Sequence, residues 1–391
     1  MNLYRPVPIF NILSIIVILL LFPLLSNGQQ EIPLREVCLF PDQVLESSGL
    51  YIQHPDSIWS QNDSGNNRKL YLIDTFGTKI RNVEMVGGGN IDWEDLATDS
   101  DGNIYIGDFG NNFEDRQDLV IYKSINPALI GTETFFAETI NFHYEDQNAF
   151  PPPIQQWYFD CEAMLVWSDT IFIFTKDYSV PYNGFTRMYH LPNTPGDHTA
   201  IFSGVFYTDN DNFYEGSITG AALSPDRSKM ALISNRKLWV FYDFEGQNFF
   251  NGSVKEFKFA ENTQKEAVAF LNECEMYISD EQTNDGGGKL YAFNVCDYLA
   301  ATDNLVSSEK SILISQDDNY LYFDAGSIPE ASNPAASIFL MDAKGIKIGE
   351  MPLNYGKTAF SKSTLTKNQV YFYTLYVPSL PVPVAGKIFT W

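Results

Sequence analysis

ESSGL at residues 46–50, EDLAT at 94–98, EAMLV at 162–166, TGAAL at 219–223 and EAVAF at 266–270 share one pattern, a polar residue heading a short apolar strand. Four of the five begin with glutamate and the other with threonine, at intervals of 48, 68, 57 and 47 residues. Each is followed by a second strand that runs into polar residues: IWSQNDSG (58–65), IYIGDFGNN (104–112), IFIFTKDY (171–178), MALISNR (230–236) and MYISDE (276–281). A third strand comes next each time, starting at Lys69, Leu119, Arg187, Lys237 and Lys289, and a fourth follows in most units, for example NFHYED (141–146) and EFKFAE (256–261). Four short strands separated by turn residues, and repeated as a unit, are the sequence form of a propeller blade. A β-sandwich also strings short strands together, but it does not require the same polar residue at the head of every fourth strand. The sequence therefore predicts an all-β chain built on a β-propeller of about five blades.

The fifth unit supplies three strands by Val295, and REVCLF (35–40) precedes the first Glu-headed strand as a fourth strand precedes each later one. We expect this segment to complete the last blade, closing the ring and removing an exposed sheet edge. Closure places Cys38, Cys274 and Cys296 in one blade. Cys274 starts the second strand and Cys296 ends the antiparallel third, which favours a Cys274–Cys296 bridge, with Cys38–Cys296 as the alternative. Cys161 then reads as a buried free thiol. With no CxxC and no Cys/His cluster in the sequence, a zinc site is not expected.

Residues 1–28 read as a signal peptide: Arg5 near the start, an apolar run from Ile9 to Leu25, and Ser26-Asn27-Gly28 before a cut at Gln29. The propeller is expected over 29–300. The remainder, 301–391, opens with a linker-like stretch and continues in alternating strands such as SIFLM (337–341) and NQVYFYTLYV (368–377), the pattern of a small β-sandwich. With ASNPAAS (331–337), DAKG (342–345) and a closing GKI (386–388), this tail resembles the C-terminal sorting domain of type IX secretion. That resemblance implies recognition by secretion machinery and a secreted or outer-cell-surface destination, with no membrane insertion after the signal is cut. The closing Phe-Thr-Trp departs from the basic end of that pattern.

Acidic residues number 49 against 25 basic ones, a net charge of −24. Such a surface repels nucleic acid and anionic lipid, which excludes both as partners. NIDWEDLATDSDGNIYIGDFGNN (90–112), FDCEAM (159–164), SITGAALSPD (217–226) and QKEAVAF (264–270) resemble secreted bacterial propellers described as uncharacterised, near the esterase-like phytase and SdiA-regulated groupings. This resemblance implies ester or phosphoester hydrolysis.

In a propeller the first strand of each blade lines the channel, so Glu46, Glu94, Glu162, Thr219 and Glu266 are expected to ring its mouth. Asp63, Asp108, Lys176, Arg236, Asp280 and Glu281, at the ends of the second strands, are expected in a second ring, in which all but Asp280 contact substrate. Converging carboxylates raise one another's pKa by units unless a cation, basic side chains or shared protons compensate. Calcium takes six to eight oxygen ligands, which Glu46, Glu94, Glu162 and Glu266 would offer. Alternatively the glutamates cap neighbouring strands, with Lys176, Lys265 and Arg236 balancing charge. Two functions follow. The first is a calcium-dependent hydrolase of an ester or phosphoester, with Glu94, Glu162 and Glu266 as catalytic carboxyls and Lys176 and Arg236 holding an anionic group. The second is a non-catalytic module binding glycan or protein, with FPPPIQQWYF (150–159) offering rings for a sugar. A Ser-His-Asp triad is disfavoured: His54, His143, His190 and His198 follow no motif, and GxSxG is not found. DSDGN (99–103) reads as a β-turn rather than a calcium loop.

Overall fold

The computed structural model describes residues 31–208, 212–284, 286–299 and 312–390, apart from 317, 318, 326, 327, 329, 330, 332, 334, 343–345, 354–356, 368 and 378–383. The expected signal peptide and the boundary at 300/301 lie outside the described residues, as does most of the DAKG motif.

Apolar strands of five to eight residues, with one of twelve in blade 3, punctuated by Gly, Asn and Asp turns, fold into five blades around a channel. From the channel outward, blade 1 runs Ser47–His54, Ser57–Asn62, Lys69–Ile73, Lys79–Met85. Blade 2 runs Trp93–Thr98, Ile104–Asp108, Val120–Ser124, Glu138–Tyr144. Blade 3 runs Asp160–Trp167, Thr170–Lys176, Phe185–Pro192, Gly196–Tyr207. Blade 4 runs Ile218–Leu223, Lys229–Ser234, Lys237–Tyr242, Ser253–Phe259. In blade 5, Lys265–Phe270, Glu275–Asp280 and Lys289–Asn294 are completed by Arg35–Leu39, antiparallel to Lys289–Asn294 as the sequence predicted. The innermost strands pack in a closed ring, blade 1 against 2, 2 against 3, 3 against 4, 4 against 5 and 5 against 1. The outer strands of blades 2 and 3 also pair in parallel, Ile140 opposite Gly196 through Tyr144 opposite Ala200, joining the two blades into one sheet.

Between blades the second and third strands pack face to face. Trp59 and Trp93 are buried between blades 1 and 2, and Trp239 between blades 3 and 4. Each apolar side chain of this size is worth roughly 1.5–3 kcal/mol on full burial. DSDGN forms the expected turn: Asp99 Oδ1 accepts the N–H groups of Asp101 and Asn103, both at 3.0 Å, and Gly102 takes φ +78°. Cys274 and Cys296 form a disulfide; Cys38 and Cys161 are buried and free.

The tail forms a sandwich of a three-stranded and a four-stranded sheet over a core that includes Leu321, Phe323, Ile338, Leu340, Tyr373 and Leu375. It docks on blade 3 through Phe339 and Met341 against Phe185 and Tyr207. Among the described residues no helix is long and apolar enough to cross a membrane.

Candidate functional site at the channel mouth

Every innermost strand carries a β-bulge at the same place. The register skips Ser48, Glu94, Glu162, Thr219 and Glu266 in blades 1 to 5. A bulge leaves its extra residue unpaired and re-aims the side chain, and here it presents one residue per blade at one end of the channel. Glu46 is therefore displaced from the expected ring by two residues. It precedes the bulge, is exposed, and accepts a hydrogen bond from Asn66 Nδ2; Ser48 takes the ring position and donates to the carbonyl of Glu94.

The residue after each bulge is Gly49, Asp95, Ala163, Gly220 or Ala267, because neighbouring inner strands approach too closely there for a large apolar side chain. A Cβ on Gly49 would lie 2.6 Å from the amide nitrogen of Leu96, and one on Gly220 would lie 2.8 Å from the Glu266 carbonyl. Asp95 uses the same space differently. Its buried carboxylate accepts the N–H groups of Leu96 at 2.7 Å and Met164 at 2.8 Å, tying blade 2 to blade 3 inside the channel. Beyond it the channel opens as a funnel of about 420 Å³, lined by apolar residues such as Leu50, Leu96, Met164, Ala221 and Val268 together with polar ones such as Asp99, Ser224 and Arg227. The clustered carboxyls lie at the bulge end.

A second ring lies above the first, set by strand alternation. The residues opposite the start of each inner strand include Asp108 and Asp280, and both point away from the mouth. Asp108 accepts the N–H groups of Ile91 and Asp92 and pairs with Arg116 at 3.1 Å. Asp280 is held inside blade 5 by Lys265 at 3.3 Å, Tyr291 Oη at 2.8 Å and Lys289 N at 2.8 Å. One residue further along, Asp63, Lys176, Asn235 and Glu281 face the mouth, while blade 2 places Phe109 in the core. Arg236, expected here, instead lies with its guanidinium carbon 5.6 Å from the Tyr214 ring centroid, and Asn235 takes its place, donating to Glu266 Oε1 at 3.1 Å.

Glu94, Glu162 and Glu266 are only 8%, 4% and 5% exposed. Lys176 Nζ meets Glu162 Oε1 at 2.9 Å, as the charge-balancing alternative expects, whereas Lys265 serves Asp280. Sequence reasoning missed Asp92 and Asp160. Asp92 sits beside Glu94, and Asp160 beside Glu162 with Oδ1 accepting the N–H of Asn111. A Cβ at Gly110 would displace the carboxyls of Glu94 and Asp92, which glycine leaves in place.

Burial is the largest influence on these groups, and like charges add to it. Burial and the neighbouring Glu162 hold the Glu94 and Asp160 carboxyls well above the usual carboxylate range. Burial, together with Glu162 against the opposing pull of Lys176, lifts Glu266 to about 8. Burial and Glu46 lift Asp63 to about 7, and burial with Glu266 and Asp63 lifts Glu281 to about 9. Burial alone would lower Lys176, but Glu162 and Tyr178 outweigh it and raise its pKa well above the ordinary value. Protons shared among carboxyls, with one lysine, balance the charge.

The ring does not fit calcium. Lys176 occupies the space among the carboxyls, and among the described residues no three His, Cys, Asp or Glu side chains converge to hold a metal ion. The 150–159 loop is folded on itself rather than open to a sugar: Tyr158 and Phe159 are buried, Tyr158 beneath Arg187 at 3.2 Å, and Trp157 Nε1 donates to Pro152 O at 3.0 Å. A cleft of about 730 Å³ lies elsewhere, between the tail and residues of blades 3 and 4 including Phe172, His190 and Phe250. Its lining mixes polar and apolar surface, and the clustered carboxyls of the mouth are not part of it.

No protein family matches the sequence, and no curated protein matches it. Among solved structures, the chain is similar to the PQQ-bound aldose sugar dehydrogenase of Streptomyces coelicolor, at 12% identity over 66% of this chain and 96% of that one, with a TM-score of 0.39. The gluconolactonase XC5397 of Xanthomonas campestris is similar at 11% identity over 64% and 72%, with a TM-score of 0.36. PorZ, a surface component of the type-IX secretion system of Porphyromonas gingivalis, is similar at 11% identity over 88% of this chain and 51% of its own, with a TM-score of 0.29. These neighbours are β-propeller-like, and nothing about this chain's chemistry follows from them.

Proposed function

We propose that the channel mouth hydrolyses an uncharged carboxylic ester. One observation carries the reading: Glu162, ion-paired with Lys176, stands beside Glu94, whose carboxyl burial keeps protonated. A carboxylate paired with a lysine, next to a carboxyl on which burial favours the proton, offers the base and the acid that such catalysis requires.

Glu162 takes a proton from water as the water oxygen adds to the ester carbonyl carbon. The Lys176 ammonium faces the oxygen that gains negative charge. As the carbon–oxygen bond to the alcohol breaks, Glu94 gives its proton to the departing alkoxide. The products are a carboxylic acid and an alcohol, and a proton passing from Glu162 to Glu94 resets the pair. Glu266, steadied by Asn235, supports Lys176 from the far side. An anionic phosphoester suits the mouth less well. Lys176 is already paired with Glu162 and Arg236 is drawn to Tyr214, so neither is free to hold an anionic group.

The disulfide favours an oxidising compartment outside the cytoplasm, in keeping with the leader expected at residues 1–28. A second reading, a non-catalytic binder, is favoured by how little of the three glutamates reaches solvent. Turnover of p-nitrophenyl acetate and butyrate by the purified protein separates the two. Glu94→Gln and Glu162→Gln are each expected to lower kcat by about 100-fold or more. A wild-type protein that turns over neither ester overturns the hydrolase.

A further inference from the structure

Beside the acid–base pair is a feature that ester hydrolysis alone does not use. The loop after the second strand of blade 3 and the short helix Phe213–Gly216 before blade 4 bring four aromatic rings together on the rim. Tyr178 and Phe213 have centroids 5.1 Å apart; Phe213 lies 5.7 Å from Tyr182 and 5.7 Å from Tyr214. Lys176 Nζ is 5.6 Å from the Tyr178 ring, so this shelf adjoins the Glu162–Lys176 pair. Tyr214 is 55% exposed, and Tyr178 and Phe213 are half-buried. The shelf is built in: Asn212 Oδ1 caps the helix by accepting the N–H of Tyr214 at 3.0 Å, and Tyr178 Oη donates to Asn112 Oδ1 at 2.8 Å. On the mouth side stand hydrogen-bond acceptors. Asp160 is fully buried, and among the described residues no N–H or hydroxyl donates to its Oδ2.

We infer that the ester is carried on an uncharged saccharide, one of whose rings stacks on exposed Tyr214 and packs against Phe213, whose plane stands at 83° to it, while its hydroxyls donate to the carboxyls of the mouth. The substrate class rests on the hydrolase reading for its reacting group, but the binding does not. A pyranose presents an apolar C–H face bordered by hydroxyl donors, and rings beside acceptors are its complement. A purely aliphatic ester would leave the buried acceptors without donors, which costs affinity. A cationic ligand would meet Lys176 at the Tyr178 ring and Arg236 at the Tyr214 ring. An anion would meet the carboxyls.

The test uses the full chain and unmodified hexasaccharides of glucose, xylose, mannose and N-acetylglucosamine in calorimetric titration, with p-nitrophenyl acetate turnover measured in parallel. At least one hexasaccharide is expected to bind. Phe213→Ala and Tyr214→Ala should each raise its Kd about ten-fold or more, the usual cost of truncating an aromatic anchor, while Phe213→Tyr and Tyr214→Phe stay within about three-fold. Melting temperatures matching wild type to about 2 °C separate loss of stacking from loss of fold, and exposed Tyr214 is the variant best placed to pass that control. Failure of all four sugars to bind, or binding unchanged in both alanine variants, overturns the shelf. Ester turnover without sugar binding would then leave the hydrolase standing; sugar binding lost in the variants without ester turnover would leave the shelf standing and the hydrolase refuted.

Discussion

Replacing Glu266 with glutamine should stabilise the protein at alkaline pH and hardly change it at acidic pH. The Glu266 carboxyl is raised from an ordinary 4.5 to about 8, chiefly by burial, with Lys176 pulling it down and Glu162 pushing it up. A carboxyl raised on folding binds more protons in the native state than in the unfolded one between those two values. Its stabilising contribution is complete below about 4.5 and is lost as pH rises through about 8. At about 1.4 kcal/mol per pH unit the whole gap is worth roughly 5 kcal/mol, an upper bound. Because the proton is shared with neighbours, we expect about 2–4 kcal/mol from this one group. Glutamine keeps the shape and the bond from Asn235 Nδ2 but cannot ionise. For a domain of this size about 2 °C accompanies each kcal/mol, so Glu266→Gln should melt about 4–8 °C above wild type at pH 9 and within about 2 °C of it at pH 5. Differential scanning calorimetry at both pH values measures this. Parallel wild-type and variant curves between pH 5 and 9 would refute the reasoning, since Glu266 would then titrate alike in both states.

Gly110→Ala should lower ester turnover about ten-fold or more and cost about 1–3 kcal/mol, because its Cβ must displace the Glu94 and Asp92 carboxyls; kinetics and melting together check this, and normal turnover would show that the pair tolerates movement. Adding calcium or a chelator should move the melting temperature by less than about 2 °C, since Lys176 rather than a metal balances Glu162; a calcium-dependent rise of several degrees would overturn the proton-sharing account. Replacing Cys274 and Cys296 with serine, a bridge spanning 22 residues, should cost about 3 kcal/mol by loop entropy. A melting temperature indifferent to reduction would show that blade 5 is held by strand pairing alone.

The blades, their closure by residues 35–39 and the alternating strands of the tail were all legible in the sequence. A strand's period and its turn residues are local properties, and five repeats of one pattern leave little choice of architecture. Glu94, Glu162, Thr219 and Glu266 were legible for the same reason, as polar heads of apolar strands. The bulges settled what the pattern left open. ESSGL begins with Glu46, but its ring residue is Ser48, and the signal that would have shown this is the small residue that follows the bulge in every blade but the second, Gly49 in blade 1 and Ala267 in blade 5. Bulge position is fixed by how closely neighbouring blades approach, which no single strand encodes. The same packing turned Asp108 and Asp280 inward and brought Asn235 to the mouth in place of Arg236, since one residue of register exchanges faces. Asp92, Asp160 and the ring shelf from Tyr178 to Tyr214 come from separate blades and loops. They meet only in the folded chain, and protonation follows from burial and neighbouring charge that only that meeting creates.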